Sequence, residues 1–165
     1  MKGLSRYQIN FKVGFIFLIL TLQLVSCQVQ DNENSSEFNS SKVEEEVTKA
    51  VWAFHKADTL KNSEMVMDLI WPDCSFLIDG NRISYQDIKK GSKQYMSSLD
   101  VFHTEWNDLE VKPLSPELSL SSFIFKDSIV DKEGVVTLSH GPNTFLWQKR
   151  GKKWKVLFVD ADHYK

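Results

Sequence analysis

From Val43 the apolar residues Val43, Val47, Ala50, Val51, Phe54, Ala57 and Leu60 recur at spacings of three and four, with no Gly or Pro among them. That period gathers them on one face and predicts an amphipathic helix over Val43 to Leu60. Asn62 or Ser63 can cap a second, short helix over Glu64 to Ile70, stopped by Pro72, whose buried side takes in Met65, Leu69 and Ile70. Cys74 to Ile78 reads as a strand and Asp79-Gly80-Asn81 as a turn. Ser84, with Asp87 three residues on, opens a third helix that runs to about Leu99 and is weakened by Gly91. Past Leu99 the pattern changes to β-branched and aromatic runs: Phe102 to Val111, Leu118 to Val130, Val135 to Lys149 and Lys153 to His163. Turn segments at Pro113 to Pro116, Asp131 to Gly134 and Arg150 to Lys152 separate them. Helices in front and antiparallel strands behind predict an α+β domain, the last two strands forming a hairpin.

Ahead of this domain lie two segments of different character. Met1 to Lys12 holds three cations and no acid, and Val13 to Val25 reads VGFIFLILTLQLV, the order of a secretory signal. Thirteen residues of helix span about 20 Å, short of the roughly 30 Å hydrocarbon core, so a permanent membrane helix is the weaker reading. Gln28 to Lys42 has only Val29 and Phe38 as apolar residues; it cannot bury enough surface to offset its ordering entropy and reads as a tether. Leu24-Val25-Ser26-Cys27 resembles the lipobox of bacterial lipoproteins. The resemblance implies cleavage after Ser26, acylation of Cys27 and attachment to a membrane of the bacterial cell envelope. Gln28 after the Cys, where enteric lipoproteins kept at the inner membrane carry Asp, implies the outer membrane. An ordinary signal peptide with a chance Cys near its end stays open. The expected organisation is a signal peptide over 1–26, a lipidated Cys and tether over 27–42, and a folded domain over 43–165.

The chain has 165 residues, 42% hydrophobic and 25% charged, with seven Gly and four Pro, which excludes collagen-like and low-complexity classes. Lys and Arg number 20 against 22 for Asp and Glu; without the three cations of the leader the balance falls to about −5, which speaks against a nucleic-acid partner. The only cysteines are Cys27 and Cys74, so a lipidated Cys27 leaves no intramolecular disulfide. Cys74, before Ser75-Phe76-Leu77-Ile78, reads as a small buried hydrophobe; a nucleophilic role would need a neighbouring base.

The order helix, short helix, Trp71-Pro-Asp73-Cys-Ser-Phe76, Gly80-Asn-Arg-Ile-Ser-Tyr-Gln-Asp-Ile88, then strands with Thr144-Phe-Leu-Trp147, Gly151 and Trp154-Lys-Val156 resembles the SnoaL-like, nuclear-transport-factor-like superfamily. Ketosteroid isomerase and scytalone dehydratase are among its members. The resemblance spans roughly Val43 to His163. It implies a strongly curved antiparallel sheet wrapped around the first helix as a cone with an apolar pocket, and a homodimer through the outer sheet face. Independently, the two-residue period puts Trp154, Val156 and Phe158 on one strand face that Asp160 and Asp162 would continue, the wall of a pocket ending in carboxylates. A strand that simply leaves the core after Phe158 is the plainer alternative. Val51, Phe54, Trp154 and Phe158 are the expected ligand-binding residues.

The residues leave catalysis open. Aligning His55-Lys-Ala-Asp58 with the end of the isomerase's first helix places Ala50 where that enzyme has its Tyr, and its general-base Asp falls near Ile78, one residue from Asp79. Only its second donor finds a usable group, Asn143; two of three parts are missing. The cyclase branch keeps a carboxylate on the late strands, which would make Asp160 a general base with His140 or Asn143 steadying an oxyanion. His55, His103, His140 and His163 show no metal-ligand spacing, and no cofactor motif occurs. Trp106, Trp147 and Trp154 read as core or dimer residues. Three readings follow: a membrane-anchored domain that binds a small apolar ligand or a partner protein, a cyclase-, isomerase- or dehydratase-type enzyme using Asp160, and a structural dimerisation module of the envelope.

Overall fold

The helix expected from Val43 begins three residues earlier because Asn39 caps it, its side-chain oxygen accepting from the Lys42 backbone N–H at 2.9 Å. A computed structural model describes residues 38–165; the leader, the lipobox with Cys27 and most of the tether lie outside the described residues. α1 (Ser40–Thr59) buries Val43, Val47, Val51, Phe54 and Ala57 as its period dictates, and Phe38 packs against the same core. Asn62 caps α2 (Ser63–Asp68), accepting from Met65 N at 3.0 Å. This helix buries Val66 and Met67 and leaves Met65 exposed, a correction to the expected face. Fewer than two turns give the helical period too little length to fix a face.

β1 (Ile70–Ile78) starts four residues before the expected strand and accommodates exposed Pro72 where its pairing register shifts, between Ile70 and Ser75. Asp79 and Gly80, with φ of 52° and 74°, form the two-residue turn into β2 (Asn81–Ile83), a strand the pattern did not announce. Ser84 caps α3 (Tyr85–Ser98), and β3 (Leu99–Ser115), β4 (Leu118–Asp131), β5 (Val136–Arg150) and β6 (Lys153–Ala161) complete the chain.

The sheet has the order β2-β1-β6-β5-β4-β3. β3 to β6 form an antiparallel meander, as expected, but β1 joins β6 in parallel, so the sheet is mixed. The intervening α3 and four strands return the chain to the side where β1 began, the long crossover that a parallel pair needs. α1 touches β3, β4 and β6, strands from across the sheet, which therefore curves around it.

Aromatic rings fill the middle of the curve. Trp106 stacks on Phe123 at 4.0 Å, and Phe54 meets Phe145 at 5.1 Å. Trp147, fully buried, donates its Nε1–H to Ser121 Oγ at 2.8 Å, so each polar group satisfies the other. The domain has two ends along α1. At one, Glu46 accepts from Lys149 Nζ at 2.6 Å and Trp154 Nε1 at 2.8 Å, fastening the early turns of α1 to the β5–β6 hairpin. At the other, Lys61 Nζ donates to the carbonyls of Leu99 and Asp100 at 3.1 and 2.7 Å, and α3 packs against α2 and β1.

Candidate functional site

The late-strand wall read from alternation is interrupted by a β-bulge. Trp147 pairs with Val156 but Leu146 pairs with Phe158, so Leu157 is the extra residue and every later side chain changes face. Val156, Val159 and Ala161 are buried, whereas Phe158 turns outward beside Leu146 and Asp160 is exposed. His140, opposite Lys126, is also exposed and packs on Tyr164 at a centroid distance of 5.8 Å. Asn143 shares the inward face of Phe145 and Trp147, and its Oδ1 is buried with no hydrogen-bond partner among the described residues. Asp160, His140 and Asn143 are therefore not brought together. Val51, Phe54 and Trp154 are core residues, Val51 with no exposed surface and Phe54 between the Phe145 and Trp106 rings.

A different set of groups converges at the open end. Asp58 sits in the last turn of α1, and burial together with the nearby Asp127 charge pushes its carboxyl from the usual 3.8 to about 7. Asp127 continues the inward series Ser119, Ser121, Phe123 and Phe125 on β4 and pairs in register with Thr104 of β3. Burial raises Asp127 as well, opposed by a hydrogen bond from the Thr104 side chain and by the His163 charge. Tyr95 of α3 completes the set from above. Burial raises its phenol, and the charges of Asp127 and Asp58 add to the rise. Both carboxyls resist ionisation, and the Asp127 charge makes Asp58 resist it more.

His163 closes the side of the site through the chain's last residues. Asp79 accepts from the His163 backbone N–H at 2.7 Å and meets its Nδ1 at 3.1 Å, holding the imidazole against Phe125 at 5.0 Å. These bonds to His163 hold the Asp79 carboxyl below the usual range. Tyr164 exchanges backbone hydrogen bonds with His140 at 2.7 and 3.0 Å, and the segment passes Gly141 so closely that a Cβ there would run into the Asp162 carbonyl. On the other flank His55 reaches the Thr104 carbonyl at 3.3 Å and lies edge-on to Trp106.

α3 roofs this set without sealing it. No residue of α3 is fully buried; Ile88 and Met96 are half-buried and Tyr95 is 47% exposed. The inner face of this amphipathic helix thus keeps contact with solvent. The chemistry available there is proton transfer: an acid in the protonated member of the Asp pair, a base in the ionised member, and hydroxyl donors in Tyr95 and Thr104. Elsewhere Cys74 is buried and its thiol is pushed up to about 12, which leaves it un-ionised. Among the described residues no group of three or more His, Cys, Asp or Glu is placed to hold a metal, and no helix is long and apolar enough to cross a membrane.

Asp58 and Asp127 were not read as a site from the sequence. The one legible sign was an acid at Asp127 continuing a period-two series of inward residues; nothing local marks Asp58, whose partner lies 69 positions away.

No family model matches the sequence, and no curated protein matches it. Solved structures do. A nuclear transport factor 2 (NTF2-like) superfamily protein from Salmonella enterica superimposes with a TM-score of 0.65 at 14% identity, covering 73% of this chain and 90% of that one. A ketosteroid isomerase-like protein from Erwinia carotovora atroseptica gives 0.63 at 15% identity over 74% and 96%. A conserved protein from Planctomyces limnophilus gives 0.68 at 11% identity over 75% and 98%. The fold is thus the NTF2-like cone expected from the order of elements.

Proposed function

We propose that the domain is an acid–base catalyst or binder of a small, largely apolar carbonyl compound, which enters beneath α3 and meets the Asp58–Asp127 pair. The observation that carries this reading is the pair itself: a carboxyl from α1 near enough to one from β4 to respond to its charge, both held above the usual range by their surroundings. Such an arrangement costs stability and persists where a site needs it. In the reaction proposed, the Asp127 carboxylate takes a proton from the carbon next to the carbonyl. Asp58, protonated, hydrogen-bonds the oxygen on which negative charge develops, and Tyr95 adds a second donor. With a β,γ-unsaturated ketone Asp127 returns the proton to the γ-carbon as the double bond moves into conjugation, an isomerisation; with a β-hydroxyketone the enolate expels the hydroxyl, which takes the proton from Asp127 and leaves as water, a dehydration. His163, steadied by Asp79, supports the ionised form of Asp127 by its charge. The isomerase-like neighbour is consistent with this chemistry.

The test is solvent-deuterium incorporation next to the carbonyl in a panel of cyclic ketones and β-hydroxyketones. The intact domain is expected to catalyse exchange, and Asp127→Asn to lower it at least about 100-fold, the usual loss on removing a general base. Exchange indifferent to both Asp127→Asn and Asp58→Asn removes the assignment. Ligand retention without exchange reduces the function to binding.

Cys27 is further proposed to carry a lipid anchor at the outer membrane, supported by the Leu24-Val25-Ser26-Cys27 sequence and read out by the mass of the mature N-terminal peptide. The outward row of Leu120, Leu146 and Phe158, neighbours across β4, β5 and β6, offers the surface for a second copy in the expected homodimer.

A further inference from the structure

The end of the domain away from the Asp pair has a composition of its own. Lys149 to Lys155 places five cations in seven residues with no acid, in a chain whose overall charge is negative. Folding neutralises two of these by design. Lys149 is held by Glu46, and Arg150 makes a two-pronged pair with Asp73 at 3.0 and 2.6 Å. Lys152 and Lys153, exposed at the hairpin tip, have no acidic partner among the described residues. Lys155 rests on the Trp71 ring, its Nζ 5.0 Å from the centroid, with Arg150 on that ring as well at 4.7 Å. The β3–β4 turn stands beside the hairpin, Lys149 N donating to the carbonyl of Glu117, an exposed acid, at 2.9 Å, and Leu114 near the end of β3 is 45% exposed. A groove of about 480 Å³ between α1 and the hairpin is lined by Lys49, Lys149, Lys152, Glu46, Ala50 and Trp154.

Exposed lysines, an indole and a protruding leucine at one pole are the components that settle at a bilayer surface, where cations meet headgroup phosphates and amphipathic rings sit at headgroup depth. The polypeptide also arrives at this pole. Phe38 packs on the core just ahead of α1, and Glu46, two turns into α1, is the residue that grips the hairpin. We infer that the hairpin pole docks on an anionic lipid surface, directing the opening beneath α3 away from the membrane. The inference extends the anchored placement proposed above, since Phe38 is joined to Cys27 by about ten residues of tether, but the surface contact is testable without the anchor.

The test uses the mature chain from residue 28, which lacks the acylated cysteine; residues 37–165 form a compact unit with its own core. Co-sedimentation is measured with phosphatidylcholine vesicles containing or lacking phosphatidylglycerol. Binding to the anionic vesicles alone is expected, and loss of it at 1 M salt, where the screening length is about 3 Å. Reversing both tip charges, Lys152→Glu with Lys153→Glu, should lower partitioning at least about 20-fold, from the contribution each cation makes near an anionic surface. The pair Lys89→Glu with Lys93→Glu on α3 should leave it unchanged, and circular dichroism checks that both variants fold. Equal binding to neutral vesicles, no binding to either, or equal losses from the two pairs overturns the inference. An acyl-free Cys27 in the cell-derived chain would remove the anchor and leave this result standing.

Discussion

Replacing Asp58 by Asn isolates the energetic cost of the carboxyl pair. In the folded domain Asp58 keeps its proton up to about pH 7, against an ordinary value of 3.8. The unfolded chain gives that proton up near the ordinary value, so between the two the folded state binds more protons and stability falls as pH rises. The contribution is complete below about pH 4 and gone once the pH has passed about 7 to 8. The displacement corresponds to on the order of 4 kcal/mol at 1.36 kcal/mol per pH unit, set mainly by desolvation and partly by the Asp127 charge. Asn has nearly the same shape and cannot ionise. Urea denaturation of both proteins at half-unit steps from pH 4 to 8 therefore should give a variant close to wild type at pH 4 and increasingly more stable above it, approaching the full 4 kcal/mol at pH 8. Carboxyls held low by partners, such as Asp73 beside Arg150, weaken both proteins equally in acid and cancel in the difference. In an Asp127→Asn background the gain should shrink, because one of its two causes is gone. Parallel stability curves across the whole range would refute the account of the pair and with it the chemistry assigned to it.

Gly141→Ala should cost about 3 kcal/mol or more, because the new Cβ meets the backbone of Asp162 with its carbonyl carbon at 2.9 Å; faster amide exchange at Tyr164, whose N–H bonds to His140 O, shows the last residues lifting away. Trp147→Phe removes the indole donor and strands the buried Ser121 hydroxyl, a loss of about 2 to 3 kcal/mol in a denaturant melt, with Trp147→Phe in a Ser121→Ala background losing less. Asp79→Asn should loosen His163, seen as faster exchange of its amide. Since the folded Asp79 carboxyl lies below its ordinary value, the stabilisation it gives wild type is present above about pH 4 and fades as pH falls further, so the variant should differ least in strong acid.

Long elements were legible in the sequence because their periods run long enough to be unambiguous. α1, α3 and the four strands of the meander stand within a few residues of where apolar spacing and capping residues put them, and the cone was recoverable from their order. Short elements were not: β2 has three residues, and α2 is too brief for its apolar positions to define a face. The placement of the candidate site residues was obscured for a different reason. Face assignment along β6 assumed unbroken alternation, and a single extra residue at Leu157 moved Phe158 and Asp160 to the outside. The carboxyls with raised pKa, Asp58 and Asp127, and their neighbours Tyr95 and His163 come from three elements and the C-terminal tail, spread over more than a hundred residues. Their signature is long-range desolvation, which no local window contains.

The one parallel seam sets an order on assembly. Each neighbouring pair in the meander closes through a short turn, but β1 waits for a partner roughly 85 residues downstream, Ile70 opposite Val156 and Ile78 opposite Ala161. Closing so long a loop is entropically unrewarded until the terminal strand exists. β1 therefore belongs to the late-consolidating part of the fold, and the apolar face it presents to β6 stays uncovered until β6 has been added. Truncation at the C-terminus should accordingly unfold the beginning of the domain before it disturbs the middle.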